Sequence, residues 1–156
     1  MRRDYFSLDV TGLDRVAEDK PPTPPALLID FDGPASMLQE RITDGSAELL
    51  DASEIDVSFR FLTDVDATEA NGVVSVSDRV TGQFILELNA DAETILAFVT
   101  AAREFEQHAE EETLYRVVIS IDGEETVAYD KRMFLLYNQS GNLLRNHSLI
   151  PSGVEL

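Results

Sequence analysis

Apolar and polar residues alternate from Asp4 to Val10, with Phe6, Leu8 and Val10 on one face and Tyr5, Ser7 and Asp9 on the other. A period of two predicts a strand with one face against a core. The next stretch, Glu18-Asp-Lys-Pro-Pro-Thr-Pro-Pro25, holds four of the six prolines. Proline removes backbone donors and favours extended or turn geometry, so this stretch reads as a connector within one domain. Ala26 to Phe31 is short and apolar enough for an interior strand, and Asp32-Gly33-Pro34 ends it. Pro34 suits the first turn of a short helix over about 34–43, with Met37, Leu38, Arg41 and Ile42 at helical spacing. Alternation returns from Ile55 to Leu62, with Val57, Phe59 and Phe61 inward and Ser58 and Arg60 outward.

A polar stretch from Thr63 to Gly72 leads into two β-rich runs, Val73 to Arg79 and Gln83 to Leu88, which Val80-Thr81-Gly82 joins as a hairpin. A long amphipathic helix is predicted over about 91–109, where Ile95, Phe98, Val99, Ala102, Phe105 and Ala109 form one stripe and Glu93 sits near the start. Leu114 to Ile121 alternates again, Asp122-Gly123 is a strong two-residue turn, and Thr126 to Tyr129 returns as a second hairpin. Arg132 to Tyr137 and a last run around Leu143 to His147 are further strands, separated by the turn at Asn138 to Asn142. This order lacks the regular strand–helix alternation of a doubly wound parallel sheet. The expected fold is α+β, a mainly antiparallel sheet of about seven to nine strands built from hairpins, with both helices on one face. At 156 residues the whole chain, 1–156, is expected to be a single domain.

Charge changes the picture of the surface but not of the core. Asp and Glu number 30 against 12 Lys and Arg, a net charge of -18. Lys20 and Lys131 are the only lysines and the other basic residues are arginine, so the strongly hydrated ammonium has nearly vanished. A surplus of this size repels itself in dilute buffer and is screened by salt, so a salt-adapted chain is expected. The same field disfavours nucleic-acid binding, which rests on Lys and Arg. There is no cysteine, no apolar run long enough for a membrane span, and no apolar stretch of the signal-peptide kind after Arg2 and Arg3. A soluble cytoplasmic protein is the expectation.

The strongest chemical signal is Leu27-Leu-Ile-Asp-Phe-Asp-Gly33, which resembles the first motif of haloacid dehalogenase-type phosphatases. That resemblance implies Asp30 as a nucleophile on phosphorus, Asp32 as acid and base, and a magnesium ion held between them. The remainder of the pattern is missing: Pro34 stands where Thr or Val is expected, no later acidic pair ends a parallel strand, and Lys131 is the only suitable later lysine. Two aspartates around one residue also arise readily in an acidic chain and make a turn. Asp64, Asp66, Glu110 to Glu112, His108 and His147 lack the spacing of a known metal site, so no metal or cofactor is expected. Lys131, Arg132 and Arg145, beside Tyr129 and Tyr137 and joined by Arg2 and Arg3, form a candidate basic patch; pairing of these arginines with nearby acids is the plainer reading.

Three segments carry a wider resemblance: Tyr5-Phe-Ser-Leu-Asp-Val10, Leu28-Ile-Asp-Phe-Asp-Gly-Pro34 and Tyr129-Asp-Lys-Arg-Met-Phe134. With them the chain resembles small acidic proteins of salt-loving archaea grouped as an uncharacterised domain family. The resemblance implies source and cytoplasmic location and brings no activity or site. Hairpins and apolar strands without a catalytic constellation favour a non-catalytic protein-interaction or assembly module, in which the sheet or its edge pairs with a protein partner or a second copy. The alternatives are the small metal-dependent hydrolase using Asp30 and Asp32, and a small-ligand pocket near Phe59, Phe61 and Phe98.

Overall fold

The computed structural model describes residues 3–12, 23–44, 48–108 and 113–151. They form two four-stranded sheets. The first runs in the order β1 (Phe6–Thr11), β2 (Ala26–Phe31), β6 (Tyr115–Ile121), β7 (Glu124–Lys131). The second runs β5 (Phe84–Asp91), β4 (Asn71–Asp78), β3 (Ile55–Phe61), β8 (Leu135–Tyr137).

The single, mainly antiparallel sheet expected from the hairpins is therefore corrected to two mixed sheets. Each holds one parallel pair, β2 with β6 and β3 with β8. Local alternation and turn residues determine hairpins, but a parallel pair needs a long crossover and leaves no mark near either strand. Here the β3-β4-β5 meander and both α-helices lie between β2 and β6 in sequence. The run expected as a last strand around Leu143 to His147 forms turns, with only a bridge from Leu143 to Tyr137.

The two sheets share one core, and the pattern of burial follows the alternation. In β3 the residues Ile55, Val57, Phe59 and Phe61 are buried, while Asp56 and Arg60 face water. Asp122 and Gly123 turn β6 into β7 with both residues at positive φ, 51° and 82°, the geometry that joins twisted antiparallel strands with least splay. A short helix, α1 (Ala35–Arg41), begins after Pro34 and buries Leu38. A 17-residue helix, α2 (Ala92–His108), follows β5 directly. Its buried residues are Ala92, Ile95, Phe98, Val99, Ala102 and Phe105, and Phe98 meets Tyr115 and Phe134 edge-to-face at 5.4 and 5.9 Å between ring centroids. Asp91 starts this helix, its carboxylate accepting from the Thr94 amide and hydroxyl at 2.8 and 2.9 Å, which holds its pKa below the ordinary value. Arg2, the connector residues 18–22, Ala109 and Glu110 to Glu112 lie outside the described residues. Among the described residues no helix is long and apolar enough to cross a membrane.

Candidate functional site

The two aspartates of the phosphatase-like motif are placed differently from each other. Asp30 lies within β2, beside Ser7 of β1 and Ser120 of β6. Its Oδ1 accepts the Gly123 amide at 2.9 Å, so the carboxylate anchors the β6–β7 turn. Asp32 is exposed beyond the strand end, where its backbone amide donates to the Tyr5 carbonyl at 2.7 Å. No group of three or more metal-ligating side chains occurs among the described residues. Phe59, Phe61 and Phe98 are fully buried, and the first two pack edge-to-face at 5.2 Å, as core aromatics do.

The basic-patch residues divide between the interior and the surface. Lys131 is only 9% exposed, because the alternation of β7 puts it on the core side with Tyr129. Its Nζ donates to the carbonyls of Ala52 and Ile55, each at 2.8 Å, and so bridges the edge of the first sheet to the start of β3 in the second. Burial holds its pKa down, helped by the Arg79 guanidinium and opposed by Asp56. Tyr129 is 2% exposed and its hydroxyl has no hydrogen-bond partner among the described residues. Burial, with the charges of Asp51 and Glu54, pushes its pKa up to about 12. Tyr137 is half-buried in β8, in register with Arg60, while Arg132 and Arg145 are exposed. Other arginines meet acids: Arg79 with Asp56 at 2.7 Å, Arg116 with Asp130 at 2.9 Å and Arg3 with Glu87 at 3.9 Å.

The feature that stands out lies elsewhere, at the edges of the two sheets. An edge strand presents unpaired backbone groups and must be covered or blunted. At the end of β7 the Lys131 side chain reaches to the second sheet, while Glu124, Glu125, Ala128 and Asp130 along that edge are exposed. The β8 edge is closed by the segment 143–149: Leu144 donates to the Leu136 carbonyl at 2.8 Å, Leu136 donates to Ser148 Oγ at 2.9 Å, and Phe134 pairs with Leu149. Arg103 of α2 holds that segment through the carbonyls of Asn146 and Ser148, at 2.8 and 2.6 Å. The β5 edge lies against the 3-10 turn Arg3–Tyr5, β1 and α1, and Ile85, Leu86 and Leu88 are buried.

The β1 edge carries no further hydrogen-bonded strand among the described residues, although β1 lies beside β5. The Asp32 amide bonds the Tyr5 carbonyl around the facing pair Phe6 and Phe31, which fixes the ladder: Ser7, Asp9 and Thr11 bond to β2, while the amides and carbonyls of Phe6, Leu8 and Val10 point away from the sheet. The Val10 amide confirms this by taking the Asp9 carboxylate at 2.9 Å. The side chains of Phe6, Leu8 and Val10 face the core yet are only half-buried, whereas Leu27, Ile29 and Phe31 across from them are 0% exposed. A groove of about 470 Å³ runs beside them, with residues 6–10 as one wall and residues 89–91 with Thr94 as the other. Sequence alternation located β1 but not its place at an edge. The available signal was Asp9 and Thr11 on the polar face of a short strand, since interior strands such as β2 are apolar nearly throughout.

The chain belongs to the Family of unknown function (DUF5793), whose model matches residues 1–156. No curated protein and no solved structure matches it.

Proposed function

We propose that this chain is a non-catalytic protein-interaction or assembly module that accepts an added strand along the free edge of β1. The observation that carries this reading is the combination of outward backbone groups on Phe6, Leu8 and Val10 with half-covered apolar side chains on the same residues. An extended segment laid against β1 would satisfy those amides and carbonyls and complete the burial of the three side chains, which is how strand addition gains both affinity and specificity. The incoming strand needs apolar residues at alternate positions to match them. Amide hydrogen exchange of the protein in its host's lysate, at molar salt, is compared with the purified protein at low concentration. Slower exchange at Phe6, Leu8 and Val10 in the lysate is the expected result; unchanged exchange there overturns the reading.

The module is salt-adapted and works in a salt-rich cytoplasm of the kind found in salt-loving archaea. The net charge of -18 supports this, and the ion pairs of Arg3, Arg79 and Arg116 are too exposed to offset it. Stability rises from millimolar to molar salt as the carboxylates are screened. A denaturation midpoint that is the same at both salt concentrations overturns this part of the reading.

A further inference from the structure

We infer that a cavity on the outer face of the second sheet binds a free α-amino acid as its zwitterion, carboxylate toward Arg3 and ammonium toward Asp91. This goes beyond the strand-addition reading and does not depend on it. The cavity has a volume of about 520 Å³ and is lined by Arg3, Leu62, Asn71, Asn89, Ala90 and Asp91. Alternation builds it. Leu86 and Leu88 are buried, so Glu87, Asn89 and Asp91 share the outer face of β5. Asn71 of β4 stands in register with Asp91. Leu62, 43% exposed at the end of β3, donates its amide to the Asn71 carbonyl at 2.8 Å. Arg3 reaches the same face from the 3-10 turn, its Nη1 3.4 Å from Asn89 Oδ1.

Both charged groups keep capacity for a ligand. Arg3 makes one long hydrogen bond to Asn89 and stands 3.9 Å from Glu87, beyond hydrogen-bond length, so most of its five donors are uncommitted among the described residues. Asp91 accepts one bond on each oxygen from Thr94, and a carboxylate offers about four lone-pair sites. Asn89 and Asp91 are two residues apart, about 6.8 Å along the strand. An α-amino acid carries both its charges on one carbon and bridges such a span with a charge-assisted hydrogen bond of about 2.8 Å at each end. The lining holds one cation and one anion, while the whole chain carries -18. A simple anion is repelled by that surplus and a simple cation leaves Arg3 unmatched, so the balanced lining favours a ligand with both charges. Leu62 gives the ligand side chain an apolar contact, which suits leucine better than an acidic amino acid.

Leucine is the probe. The full chain is titrated at molar salt, and NMR follows the side-chain amide signals of Asn71 and Asn89. Saturable shifts with a Kd of about 1 mM are expected, the weak affinity of an open site. Leucinamide lacks the carboxylate and N-acetyl-leucine lacks the ammonium, and each is expected to bind about tenfold more weakly or worse. Asp91→Asn keeps a side chain that caps a helix, and Arg3→Gln changes an exposed residue, so both variants retain the fold. Each is expected to weaken leucine binding about tenfold. Leucinamide or N-acetyl-leucine binding as well as leucine, or undiminished affinity in either variant, overturns the inference. So does the absence of any shift at about 30 mM leucine, far above the expected Kd. Lysate exchange at Phe6, Leu8 and Val10 reports strand addition separately, so either reading can fall without the other.

Discussion

Along β7, one border of the first sheet, Tyr129 and Lys131 are buried and the lysine ammonium spans to two carbonyls of the neighbouring sheet. Along β1, the opposite border, Phe6, Leu8 and Val10 lie half-covered, and the polar contact made on their outer side is the bond from the Val10 amide to Asp9. Both strands alternate and both are edges, so neither pattern nor position explains the difference. What differs is how much desolvation each edge asks of the molecule. Burying a cation is costly unless its donors are matched, and the chain matches them at β7 with Ala52 and Ile55. At β1 no buried charge makes such a bridge among the described residues, and its apolar side chains are only partly covered. Lys131 at the first edge joins the two sheets, and β1 is the edge to which the proposed strand addition is assigned.

The contrast is tested most severely by a matched pair. Leu8 and Ile29 face each other across the β1–β2 ladder and both point to the core. Ile29→Ala should cost about 3–4 kcal/mol, transfer and cavity together, because the side chain is fully buried. Leu8→Ala should cost only about 1 kcal/mol in the dilute monomer, since that side chain is already partly in water. Urea unfolding at molar salt measures both, and equal costs would mean that β1 is as covered as the strand beside it. Next in size is Lys131→Ala, expected to cost about 2–4 kcal/mol because the Ala52 and Ile55 carbonyls lose a charged donor at a buried seam. A loss below about 0.5 kcal/mol, the range of ordinary surface substitutions, would place Lys131 among surface residues and remove the distinction between the edges.

Much of this was legible in sequence, and the limits have physical causes. Alternation located β1 and β3 because one face of each is buried and a one-residue slip would invert it, and a short apolar run located β2. The Asp122-Gly123 turn identified the β6–β7 hairpin because few residues other than these accept positive φ. The pairing of β2 with β6 was not legible, since contacts between strands so distant in sequence leave no local mark. The same gap hid which strands are edges. Lys131 was misplaced for a different reason. Its charge suggested a surface patch, but counting in twos from Tyr129 puts it on the core face, and as one of only two lysines it was the residue to count. Asp30 was a candidate nucleophile through a short motif only, with a turn as the plainer reading; its carboxylate accepts a turn amide, a role any acidic chain uses.

A smaller effect of opposite sign sharpens the account of β7. The Tyr129 hydroxyl is buried without a partner among the described residues, so Tyr129→Phe should stabilise the protein by up to about 1 kcal/mol at neutral pH. The pH dependence follows from the direction of the shift. The folded-state pKa is raised to about 12 from 10.0, so between these values the native state holds a proton that the unfolded state has lost. Stability is therefore complete below about pH 10 and falls as pH rises through 12. Tyr129→Phe should flatten that decline, and Tyr115, also raised by burial, should leave a residue of it. Urea unfolding at pH 8 and pH 11 reads the difference, and an unaltered slope would put the Tyr129 ring in contact with water.

The smallest expected change is at the open edge and bears most directly on what that edge is for. Asp9→Ala removes the acceptor of the Val10 amide, but that amide lies at an edge where water can replace the carboxylate, so monomer stability should shift by no more than about 0.5 kcal/mol. Amide exchange at Val10 in the dilute protein should quicken, because the side-chain bond that slows it is gone. If Asp9 serves only to blunt an exposed strand, as edge charges commonly do, the effect ends there. If β1 receives a strand, Asp9 also withholds the Val10 amide from it, so its removal should strengthen protection of β1 in the host's lysate at molar salt. Faster exchange in the dilute protein together with stronger protection in the lysate assigns Asp9 as the gate of this edge; faster exchange in both leaves it a guard.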